Sequence, residues 1–197
     1  MTELFFSLVS TYGALVIGVT TFLSCLALPI PSSFVMLAGG AFVASGDLTL
    51  LAVVGAAYAG AVIGDQAGYR AGRYGGQRLE TRIAQVPARA ALVARARAFV
   101  ARWGAAGVFF STWLVAPLGP WVNVAAGATG MGAVRFTFWD ALGEAIWVAI
   151  YVGLGYAFAA NIDALAGLLG NAVAAITAAA VAAGLGLLLL RAARTRP

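Results

Sequence analysis

Residues 113–130 read WLVAPLGPWVNVAAGATG, a stretch apolar enough for hydrocarbon that cannot be one uninterrupted helix. Pro117 and Pro120 remove backbone donors and clash with the preceding turn, while Asn123 and Gly127 interrupt the apolar run. Backbone groups freed by such a break find no water in a bilayer core. Broken backbone therefore survives there only inside protein or beside a wet cavity. Residues 29–46, PIPSSFVMLAGGAFVASG, repeat the texture, with Pro29 and Pro31 followed by the pair Gly39 and Gly40. Two such re-entrant segments, one in each half of a chain, are the pattern of a transporter site built at a repeat interface.

The rest of the composition fits that frame. Of 197 residues, 62% are hydrophobic and 10% charged, and the mean hydropathy is +0.95. A soluble domain cannot hide that much apolar surface, so residues 1–197 read as a single polytopic, all-α integral membrane domain. The net charge of +5 comes from arginine alone, since the chain contains no lysine. In so apolar a chain this charge points to anionic lipid headgroups and a positive-inside orientation rather than to nucleic acid. Cys25 is the only cysteine and histidine is absent, which argues against a metal site, any cofactor held by such ligands and histidine-based catalysis. Ser32, Ser33 and Thr112 have no histidine or lysine to activate them, so an enzyme is not expected.

Taken in order, residues 4–28 form a first span, retained because no basic residue precedes the apolar run. The broken segment 29–46 follows, and residues 48–69 form a second span with Gly60, Gly64 and Gly68 on one face. Such a stripe of small residues admits a close neighbour and permits a homo-oligomer without requiring one. Residues 70–102 carry eight arginines against one acid, Glu80, and are expected on the cytoplasmic side. Within them Leu92, Ala96, Phe99 and Trp103 form a helical stripe, so residues 90–103 should lie as an amphipathic helix in the membrane interface, with Pro87 at its start. The second broken segment is 104–130. Residues 136–160 form a third span and residues 164–190 a fourth, ending in Arg191, Arg194 and Arg196. Both termini then face the cytoplasm, and the two re-entrant hairpins enter from opposite sides, as in an inverted repeat. In sequence the repeat aligns PIPSSFVMLAGG with PLGPWVNVAAGA, and Gly64-Asp65 with Gly143-Glu144.

The succession PIPSS…LAGG, GDQAGYRAGRYGG, AAGATGM and LGEAIW…LGY resembles the DedA family of bacterial inner-membrane proteins, also called SNARE-associated or VTT-domain proteins. The resemblance runs roughly from Val19 to Phe158. It implies re-entrant hairpins and a lipid-handling role, for some members the movement of undecaprenyl phosphate or phospholipids across the membrane, coupled to ion gradients. Two features depart from the family pattern. A glutamate expected after the first proline motif falls at Ser33 or Ser32, and two arginines expected in the second broken segment fall at Thr112 or Trp113 and at Gly119 or Pro120. The acid of the GDQAGYRAGR motif is present as Asp65.

Asp65, Asp140 and Glu144 lie in apolar sequence, where carboxyls face a cavity or a partner and can carry protons or gate a path. The alternative for Asp65 is an ion pair with Arg70 or Arg73, and for Asp140 one with Arg135. Arg70, Arg73 and Arg135 are candidates for a lipid phosphate, which guanidinium groups hold in bidentate fashion, and Asn123 is a candidate either for the headgroup or for broken backbone. The expectation is a flippase or scramblase for a phosphorylated lipid, proton-coupled through Asp65 and Glu144. The alternative is a membrane organiser that keeps the fold without transport.

Overall fold

The computed structural model describes residues 2–83, 85–114 and 118–159, with side chains from Tyr12 onward except at 77, 80, 83, 87 and 88, and among them helix is the one regular element. Seven helices follow in order: α1 (Thr2–Cys25), α2 (Ser32–Ala44), α3 (Leu50–Ile83), α4 (Pro87–Trp103), α5 (Ala105–Trp113), α6 (Gly119–Ala128) and α7 (Ala133–Ala157). They belong to one compact unit ending at Ala159. The expected fourth span, the basic tail and Pro117 lie outside the described residues. Leu50–Gly76 within α3 and the whole of α7 are long and apolar enough to cross a membrane. In α1 the described stretch Tyr12–Cys25 is apolar but shorter than a span.

The helix breaks fall where proline dictates. Pro29 and Pro31 lie in the non-helical link between α1 and α2, where Ala27 takes a left-handed φ of 61°. Pro87 and Pro120 instead open α4 and α6, the position where a missing N–H costs nothing. The second span is longer than its sequence suggests. Helix α3 runs past Tyr69, so Arg70 and Arg73 stand on the helix itself, and the backbone turns at Gly76 (φ 50°).

Gly39, Gly40 and Gly127, expected as points of backbone freedom, are helical residues buried in α2 and α6. A Cβ at Gly40 would meet the Val152 carbonyl and fall 2.8 Å from the Tyr156 nitrogen of α7. At Gly127 it would meet the Tyr69 carbonyl and fall 2.7 Å from the Arg73 nitrogen of α3. These glycines let two helices touch backbone to backbone. The reciprocal glycines, Gly155 of α7 and Gly72 of α3, lie against the carbonyls of Leu37 and Val124.

The repeat is plain in these contacts. Helix α1 packs on α3 as α5 packs on α7, and α2 packs on α7 as α6 packs on α3. Gly60, Tyr69, Gly72 and Arg73 of α3 map with one constant offset onto Gly143, Val152, Gly155 and Tyr156 of α7. Leu37 and Gly40 map likewise onto Val124 and Gly127. Gly60 faces Gly18 and Thr21 of α1, and Gly143 faces Phe109 and Thr112 of α5. This register corrects the alignment read from sequence: Gly143 matches Gly60, one helical turn before Gly64, and the α2–α6 match shifts by one residue. The first hairpin also extends beyond 29–46, because the end of α1 is the counterpart of α5. Helices α3 and α7 run antiparallel, as the Gln66–Thr137 hydrogen bond (2.9 Å) and the Tyr69–Phe136 stack (4.4 Å) require.

Candidate functional site

Halfway along α3, Asp65 is the hub of a buried polar cluster. It is 2% exposed, and its Oδ1 accepts a 2.6 Å hydrogen bond from Asn123 Nδ2 of α6. Asp140 and Glu144, one turn apart on α7, face it, and Cys25 reaches it from the end of α1. Asp140 is fully buried and Glu144 is 2% exposed. The packing that brings them here is the glycine-mediated contact of each broken segment with the opposite long helix. Asn123 lies one turn before Gly127, so the approach of α6 to α3 delivers its amide to Asp65.

This arrangement decides against both ion pairs considered as alternatives. Asp140 is fully buried and does not pair with Arg135, since neither of its oxygens has a hydrogen-bond partner. Asp65 is bonded to Asn123, and the charged groups acting on it are the carboxyls of Glu144 and Asp140, not Arg70 or Arg73. Glu144 Oε2 and Asn123 Oδ1 are likewise buried without a partner. Acceptors thus outnumber donors within the cluster.

A cavity of about 800 Å³ opens onto it. Its lining joins the residues that lead into α2, Pro29 to Ser33, on one side and the start of α6, Gly119 to Trp121, on the other, with Asp65 and Glu144. Of the positions at which the resemblance calls for a glutamate and two arginines, Ser32 or Ser33, Thr112 or Trp113, and Gly119 or Pro120, all but Trp113 line this same cavity. The missing charges are therefore missing from one place. The basic residue in the lining is Arg89 of α4. Sequence reading placed it within the arginine-rich stretch 70–102. The signal that could have found it is its spacing from Leu92, one turn on along the same helix face, which also lines the cavity. Trp147 is a second residue the sequence did not single out. It is 7% exposed, lines the cavity, and its indole N–H has no acceptor.

Arg70, Arg73 and Arg135 lie elsewhere, exposed to the surroundings. Arg70 borders a separate groove between α3 and α7 with Gln66, Val134 and Phe138, Arg73 reaches Gly130, and Arg135 points toward Gly104. Amphipathic α4 buries Val93, Ala96 and Val100 and packs on α6.

Comparison with known proteins agrees with this architecture. The VTT domain family model matches residues 30–157, which takes in α2 to α7 and every residue of the cluster except Cys25. An uncharacterized membrane protein of Synechocystis, slr0232, is 38% identical over 148 residues, 74% of this chain and 66% of that protein. The match therefore spans just under two thirds of the relative's length. No solved structure matches the chain. With a family model covering most of its helices and a membrane protein as a relative, the chain belongs to the VTT-domain family of membrane proteins, the DedA or SNARE-associated group.

Proposed function

We propose that the protein moves a phosphorylated lipid, undecaprenyl phosphate or a phospholipid, between the leaflets of a bacterial inner membrane, with its arginine-rich face and both termini in the cytoplasm. The observation that carries the reading is the cavity in which the starts of α2 and α6, one helix from each broken segment, meet buried carboxyls. It is large enough for a headgroup, since ligand sites run from about 300 to 1,000 Å³. The acyl or prenyl chains stay in the bilayer while the polar end crosses. Arg89 supplies the cation for the phosphate, in the place of the family's absent arginines, and the Trp147 N–H supplies a second donor. Asp65 and Glu144, with Asp140 behind them, carry protons or gate the route.

The test is leaflet exchange of labelled undecaprenyl phosphate and labelled phospholipids in proteoliposomes, at matched and unmatched pH. Exchange is expected from the wild type, with a loss of roughly tenfold or more in Asp65→Asn and Glu144→Gln. If folded, inserted protein moves neither lipid under either condition, the transport reading is wrong.

The absence of a glutamate and two arginines from the cavity wall favours a second reading, a membrane organiser that keeps the scaffold alone. Under it, Asp65→Asn and Glu144→Gln leave the cellular function unchanged at normal protein levels.

A further inference from the structure

A single cysteine and no histidine argue against a metal site when residues are merely counted. The fold changes the premise by setting that cysteine against oxygen ligands from three other helices. Cys25 Sγ, a carboxylate oxygen of Asp65 and one of Glu144 lie within 4.8 Å of one another, and all three residues are buried. Asn123, 1% exposed, is held to Asp65 through its Nδ2, which leaves its Oδ1 one bond away on the same amide carbon without a partner. Asp140 adds two more oxygens without partners, and Glu144 another. Among the described residues, the titratable groups that act on one another here are one thiol and three carboxyls, from α1, α3 and α7, and α6 adds the amide. Asn123 Nδ2 is the one nitrogen donor among them.

We propose that Cys25, Asp65, Glu144 and the Asn123 carbonyl oxygen form a binding site for a thiophilic divalent cation of the zinc type. One sulfur with two carboxylates and an amide oxygen makes four donors of mixed softness. That number suits a four-coordinate ion without geometric demands of its own. A thiolate selects against magnesium and calcium, which take oxygen ligands and, for magnesium, keep much of their water. Binding displaces the protons these ligands hold, so the ion and protons compete for one site. The proposal rests on the donor geometry and not on the lipid reading.

Cadmium is the probe, since a thiolate bound to it gives an ultraviolet charge-transfer band. Full-length protein in detergent, stripped with chelator and free of added lipid, is titrated with cadmium alone. One equivalent per chain is expected, displaced by zinc, with the band absent in Cys25→Ser. Glu144→Gln and Asp65→Asn are expected to weaken binding by roughly tenfold or more while the band persists at saturation. Circular dichroism checks the fold of each variant, and if Cys25→Ser does not fold, the Glu144→Gln titration decides. The site is refuted if folded wild type shows no saturable band. It is equally refuted if the band titrates identically in Glu144→Gln and Asp65→Asn, which would mean a bare thiol binding cadmium. Neither result depends on whether lipid moves, so this proposal and the transport reading stand or fall separately.

Discussion

Asn123 is the one nitrogen donor in a nest of acceptors, and its loss should register in the fold before it registers in transport. Asn123→Ala leaves Asp65 buried without its hydrogen bond, a change that costs about 1–3 kcal/mol. A clear fall in the thermal midpoint in detergent is expected. Asp140→Asn acts in the opposite sense. It removes a buried carboxylate that has no partner and introduces an amide able to donate to Asp65. The midpoint should rise, and a fall would show that Asp140 has a partner after all. At this scale the sequence announced the acids themselves, because carboxyls in apolar runs are conspicuous. It could not announce their meeting. Asp65 and Asn123 are 58 positions apart, and only the docking of α6 on α3 makes them neighbours. Cys25 was read as inert for the same reason.

Among the elements, the glycines divide into two kinds that sequence alone does not separate. In α7, a Cβ on Gly155 would run into the Leu37 carbonyl, whereas one on Gly153 meets nothing within 4 Å. Gly155→Ala should therefore force α2 and α7 apart and cost about 1–3 kcal/mol or more. Gly153→Ala, two residues away, should be neutral or stabilise by up to about 1 kcal/mol through helix propensity. Comparing the two melting midpoints checks the claim, and equal effects would contradict it. The prolines were readable because their effect is local: Pro29 and Pro31 sit in a link, and Pro87 and Pro120 open helices. Paired glycines were not, because the same residue serves a break and a tight crossing, and only the partner helix decides which. Helix α4 was legible as an amphipathic stretch, but its stripe could not say that Arg89 borders a cavity.

For the whole molecule, the antiparallel pairing of α3 and α7 puts the end of one beside the start of the other. Tyr69 donates to the Met131 carbonyl across that junction. Tyr74 and Val134, both 86% exposed, flank it. Tyr74→Cys and Val134→Cys should therefore react with an impermeant maleimide from the same side of the membrane, the cytoplasmic one, while buried Cys25 stays silent. Labelling from opposite faces would overturn the topology. The sequence conveyed the membrane class and the existence of a repeat, but the register needed backbone contacts, since an acid after a glycine recurs by chance as readily as by descent. That register carries a historical consequence. Asp65, Asn123, Asp140 and Glu144 map across the repeat onto Val148, Met36, Ala57 and Ala61, four apolar residues buried in one hydrophobic cluster. Two identical ancestral halves would have carried every acid twice or not at all. The polar chemistry of this chain, contributed by both halves, therefore arose, or was kept, at one of the two places that the repeat makes equivalent, after the halves had diverged, and the apolar copy records what the other place became.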